Sequence, residues 1–162
     1  MNLNTGPELP PLASLDPADG PSFWYVIDRA VTYQSGEAVL GPPAREVFAP
    51  LPYELLLPVV IESVQAQAEP QPDALLDNAV LNACRALRFA TDRRWYAKLE
   101  AGLRTLPAAG RFGPLIEQAM TTVLQPRQAS RNVPADLVQA FLADILARLR
   151  DLADGRPRPE PG

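Results

Sequence analysis

Apolar residues recur every three to four positions along most of this chain, a spacing that predicts helices. Phe23, Ile27, Ala30 and Val31 share one face of a helix over residues 22–33, which Ser22 can cap and Gly36 can end. A second helix is predicted over 52–66, with Pro52 as a first-turn residue and Pro58 removing one backbone donor inside it. A third, over 73–90, carries a core stripe of Leu76, Val80, Ala83, Cys84 and Leu87. Shorter patterns predict helices over 96–106 and 114–125. Asn132 and Pro134 open the last one, which reaches about residue 153 with Val138, Phe141, Leu142, Ile145, Leu149 and Leu152 facing inward. Ala38-Val39-Leu40 reads either as a short strand closed by Gly41-Pro42-Pro43 or as an extended loop. The predicted fold is mainly α, a bundle of about five to six helices preceded by one short orphan strand. Such a strand needs a partner for its N–H and C=O groups, so it reads as the end of a larger sheet unit.

Composition narrows the function. A chain of 162 residues, 47% of them hydrophobic, can bury one compact core between tails. Residues 1–20, rich in Pro, Asp and Gly, read as a disordered lead-in, and residues 155–162 as a disordered Pro-rich tail. A net charge of −4 argues against a nucleic-acid partner, which calls for a basic stripe. The longest apolar run, residues 55–61, contains Pro58 and is too short to span a bilayer, so no membrane partner is expected. The first twenty residues lack a positive region and an apolar core, so no signal peptide is read there. The one cysteine, Cys84, cannot close an internal disulfide, which fits a reducing cytoplasm. Its place on the apolar stripe makes it a small core residue rather than a nucleophile. The chain has no histidine, which removes the commonest general base and metal ligand. No metal site and no catalytic residue are expected in these residues.

One cation stands out. Lys98 is the only lysine, and the other fourteen basic residues are arginines. Its compact ammonium suits a phosphate oxygen, although spacing alone favours a solvated surface lysine. On the third predicted helix, Asn78, Asn82 and Arg85 are spaced by four and three and stack in one row.

These residues carry a resemblance. The segment Gly41-Pro42-Pro43-Ala44-Arg45-Glu46-Val47-Phe48-Ala49-Pro50-Leu51-Pro52 resembles the interdomain junction of the streptomycin/spectinomycin adenylyltransferases. Asn78-Ala79-Val80-Leu81-Asn82-Ala83-Cys84-Arg85 and Lys98-Leu99-Glu100-Ala101-Gly102 resemble that family's helical C-terminal domain, with the Asn-to-Arg-to-Lys spacing intact. The resemblance covers roughly residues 22–152. It implies that Arg85 and Lys98 face the triphosphate of ATP, and that Asp77, Asn78 and Asn82 face an aminoglycoside. It makes residues 21–41 the terminal helix and strand of a truncated nucleotidyltransferase domain, and 42–154 the helical C-terminal domain.

The chain departs from the family where catalysis is concerned. No Gly-Ser followed by an Asp-x-Asp pair occurs in it, and Ser35-Gly36 is the reverse order. Leu75 stands where the family places an acidic residue for the aminoglycoside, and the tyrosine expected near Val123 or Leu124 is absent. The expectation is a domain that binds substrate and nucleotide but is inactive alone, using ATP and magnesium only when a catalytic domain is supplied. Its partner would be a catalytic nucleotidyltransferase chain or a second copy of itself. The alternatives are a non-catalytic remnant that self-associates through exposed Phe23 and Trp24, and an unrelated helical adaptor.

Overall fold

The computed structural model describes residues 2–4, 12–14, 22–70, 72–124 and 133–155. It divides into two compact units, residues 1–50 and 51–162.

In the first unit, two three-residue strands, β1 (Asn2–Asn4) and β2 (Leu12–Ser14), pair antiparallel with Leu3 opposite Ala13. Helix α1 (Ser22–Ser35) follows, then the single turn α2 (Ala44–Val47). The apolar face of α1 forms as its spacing predicts, with Phe23, Ile27 and Ala30 buried. Phe23, expected at the surface, is thus inside, while its neighbour Trp24 is exposed.

The orphan strand is absent. Residues 36–38 have no regular structure, residues 39–42 bend, and Val39 and Leu40 are almost fully exposed. None of the three apolar residues enters a ladder, and Gly41 and two prolines, which lack a backbone donor, follow them. The Gly-Pro-Pro-Ala-Arg motif instead finishes α1. Gly36 donates its N–H to the Thr32 carbonyl at 2.7 Å, and a Cβ at Gly36 would sit 2.5 Å from that oxygen. Arg45 then reaches back to donate to the carbonyls of Tyr33 and Gln34 at 3.4 and 3.3 Å. A cation on the last free carbonyls of a helix complements its dipole.

The second unit is the helical bundle: α3 (Tyr53–Ala68), α4 (Leu76–Asp92), α5 (Lys98–Thr105), α6 (Gly113–Val123) and α7 (Ala135–Ala153). Short 3-10 turns at Asp73–Leu75, Leu106–Ala108 and Gly110–Phe112 join them. Helix α4 is the axis, packing against α3, α5, α6 and α7. A helix touched from so many sides needs more than one apolar stripe, and eleven of its seventeen residues are buried. The expected stripe of Leu76, Val80, Ala83, Cys84 and Leu87 is fully inside. On α7, Val138, Phe141, Leu142, Ile145 and Leu149 are buried as their period predicts. Leu152 is not: it is 38% exposed, one residue from the end of the helix.

Small residues set the α5 packing. Ala101 and Gly102 are buried, and a Cβ on Gly102 would come within 2.7 Å of Met120 Sδ on α6. Among the described residues, no helix is long and apolar enough to cross a membrane.

Candidate functional site

Helix α4 ends at Asp92, and Arg93 in the left-handed conformation (φ 53°) turns the chain out of it. The Arg93 N–H closes the helix on the Phe89 carbonyl at 2.9 Å. Residues 94–97 then lead back along α4 to Lys98, the first residue of α5. Two contacts from the polar row of α4 hold this return. Arg85 Nε donates to the Tyr96 carbonyl at 3.0 Å, and Lys98 Nζ donates to Asn78 Oδ1. Lys98 is therefore not a freely waving surface lysine. The Asn78–Arg85 row and the 96–98 turn form one clamp, as the four-and-three spacing suggests for its α4 half.

Aromatic rings back the clamp. Trp95 is buried and stacks on Phe89, with ring centroids 4.2 Å apart and planes 17° from parallel. The Arg85 guanidinium lies 5.7 Å from the Trp95 ring centre. Tyr53 completes the layer: its ring is 5.7 Å from that of Phe89, and its hydroxyl donates to the Ala90 carbonyl at 2.9 Å. Burial raises the Tyr53 phenol above its ordinary pKa, although the nearby Arg93 pulls the other way. The Tyr96 ring has Arg94 and Arg104 beside it, at 5.4 and 4.5 Å. A cation over a ring face is attracted by the ring's quadrupole, and Arg104 is also paired with Glu100 at 3.0 Å. The Trp95-Tyr96 pair directly after Arg93-Arg94 was the visible signal for this layer.

The expected site residues fall into two groups. Asn78, Asn82, Arg85 and Lys98 are partly exposed, and the structure joins Asn78 to Lys98 and Arg85 to the turn before it. Asn82 lies between Asn78 and Arg85 on the same helical row. Asp77, expected among the substrate-facing residues, is buried at 1% exposure. Its Oδ1 accepts the Asn78 N–H at 2.8 Å in the first turn of α4, where a carboxylate meets free N–H groups and the positive end of the dipole. The structure thus places it inside the bundle, at the start of the helix that carries Asn78.

The arrangement offers one ammonium and one guanidinium on a single polar strip. That donor set fits the oxygens of an anionic, phosphate-like group. It does not fit a magnesium ion, which needs carboxylate or phosphate oxygens.

A family model described as "Aminoglycoside adenylyltransferase, C-terminal domain" matches residues 46–148, the region that holds every element of this clamp. No curated protein matches the chain.

Proposed function

The chain belongs to the aminoglycoside adenylyltransferase C-terminal domain family, and from that premise we propose that it supplies the nucleotide- and substrate-facing half of an AMP transfer from ATP to an aminoglycoside hydroxyl. Arg85 and Lys98 engage the phosphates, and Asn78 and Asn82 offer amides to the aminoglycoside. Asp77 supports the helix end from beneath. The observation that carries this reading is the clamp: the two family-spaced cations meet the same 96–98 turn, one bonded to it and one on it.

Two fixed cations neutralise charge that develops during phosphoryl transfer. Orienting the attacking hydroxyl and bridging the phosphates through magnesium requires acidic residues of the Asp-x-Asp kind, which these 162 residues do not contain. Transfer is therefore assigned to a nucleotidyltransferase domain acting together with this one, and binding to this one.

Calorimetric titration with ATP and streptomycin, with and without a nucleotidyltransferase domain, tests the proposal. Lys98→Ala is expected to weaken ATP binding by about 1–3 kcal/mol, the range for hydrogen bonds to charged groups. No heat in any combination, or an effect of Lys98→Ala within about 0.5 kcal/mol, overturns it.

A second reading, a helical module that self-associates or pairs with a separate catalytic chain, draws on Trp24 and Tyr25, adjacent and exposed on α1. Sedimentation decides it: a clean monomer at micromolar concentration overturns self-association.

A further inference from the structure

The opposite side of α4 holds a feature that the clamp does not use. Leu87 and Thr91, one helical turn apart, line a cavity of about 460 Å³. Arg85 precedes Leu87 by two residues, roughly 200° around the helix, so the cavity and the clamp lie on opposite faces of α4. The far walls are α7 and the two 3-10 turns that link α5 to α6. Its volume falls in the range of small-molecule sites.

The lining is apolar at the base and charged at the rim. Phe112 and Phe141 meet edge to face, 5.3 Å between centroids, beside Leu87. An aromatic edge-to-face pair offers a flat ligand ring both a face and an edge. The two charged sides of the rim differ. On the α7 side Arg148 is paired with Asp144 at 3.7 Å, and Asp151 stands one turn further on. On the other side Arg111 is exposed, its guanidinium 4.7 Å from the Phe112 ring centre, and no carboxylate pairs with it among the described residues. A negative group on a ligand is met by Arg111. The Thr105 hydroxyl already donates to the Ala101 carbonyl at 2.7 Å and the Thr91 hydroxyl to the Leu87 carbonyl at 3.1 Å, so neither needs a ligand to satisfy its hydrogen.

We propose that this cavity is a second binding site, which takes a flat apolar molecule bearing one carboxylate, with its ring between Leu87, Phe112 and Phe141 and its carboxylate on Arg111.

The test is calorimetric titration of the full chain with naphthoate and with its neutral isostere naphthamide. Naphthoate is expected to bind saturably, one per chain, and naphthamide on the order of tenfold more weakly, the loss of one charge-assisted contact. Arg111→Ala should weaken naphthoate by a similar factor and leave naphthamide unchanged, while Arg111→Lys retains part of the preference. Ala108→Trp, at an exposed lining position, should abolish binding of both while circular dichroism shows an intact helical fold. ATP should not compete, because the clamp faces the other way. No saturable binding at millimolar naphthoate, equal binding of the amide, indifference to Arg111→Ala, or competition by ATP each overturns the proposal.

Discussion

Two faces of α4 treat their charges differently. On the clamp face, Arg85 and Lys98 are positioned by a backbone carbonyl, an asparagine oxygen and an aromatic ring. Those contacts span eleven and twenty residues of sequence and fix the direction of each side chain. Elsewhere in the bundle, Arg88, Arg104 and Arg148 each meet an acid one helical turn away: Asp92 at 3.9 Å, Glu100 at 3.0 Å and Asp144 at 3.7 Å. Such i,i+4 pairs are local and contribute only about a few tenths of a kcal/mol. The one lysine is thus held on an asparagine twenty residues away in sequence, in a protein whose acids outnumber its cations nineteen to fifteen. The comparison separates cations paired within their own helix from cations that tie α4 to the turn before α5.

The largest break in this picture is expected on the core face. Leu87→Ala removes a side chain that is 1% exposed and should cost about 2–5 kcal/mol in chemical denaturation. The loss should appear with nucleotide binding per folded molecule unchanged, because Leu87 faces away from the clamp. A large drop in ATP affinity with this variant would show that the two faces are not independent.

Cys84 sharpens the same contrast through pH. Burial is the main cause that pushes its thiol up to about 12 from an ordinary 9.0, against smaller opposing effects of a Thr105 hydrogen bond and of Arg88 and Arg148. The folded state thus favours the neutral thiol. Its contribution to stability is complete below about pH 9 and is lost as pH rises from there toward 12. Relative to Cys84→Ala, wild-type stability should fall by about 1 kcal/mol per pH unit above pH 9. A thiol reagent at neutral pH should react with Cys84 only after denaturant is added. Rapid native labelling would contradict a sealed core on that face.

Much of this was legible in the sequence, and the exceptions have physical causes. The 3.6-residue period located all five bundle helices and the α4 stripe, because burial follows period when a helix is packed on several sides. The row of Asn78, Asn82 and Arg85 was legible for the same reason. The bond from Asn78 to Lys98 was not, since twenty residues separate them and their meeting depends on the left-handed turn at Arg93, a residue type that gives no warning of that conformation. Asp77 looked like a ligand-facing acid, and only the packed structure shows it turned inward at the helix start. The strand at 38–40 was read from three apolar residues, too few to distinguish a strand from an exposed loop. The cavity left no mark, because one of its walls is made of 3-10 turns whose geometry has no period to read.

A smaller effect is expected for Arg85→Ala, which removes the bond to the Tyr96 carbonyl and the contact with Trp95. The expected loss is about 2 kcal/mol of stability together with weakened ATP binding. Arg85→Lys separates the two roles. A lysine keeps the charge for the phosphate but cannot reproduce the flat guanidinium over the ring while donating to the carbonyl. Stability should fall almost as far as with alanine, and ATP binding should recover in part. Equal recovery of both would mean that Arg85 acts as a charge alone.

The smallest effect separates the clamp from its neighbour on the same row. Asn82 is only partly buried and lies between Asn78 and Arg85 on α4. Asn82→Ala should change stability by no more than about 0.5 kcal/mol and leave ATP binding untouched, since a partly exposed amide replaced by the best helix former loses little. Asn78→Ala, one turn earlier, releases Lys98 from its acceptor and should weaken ATP binding although Asn78 itself carries no charge. The pair of variants differs by one helical turn and by nothing in side-chain chemistry. If both leave ATP binding alone, Lys98 finds its phosphate without Asn78, and the clamp is a packing feature; if only Asn78→Ala weakens it, the hydrogen bond between the two helices is what aims the lysine.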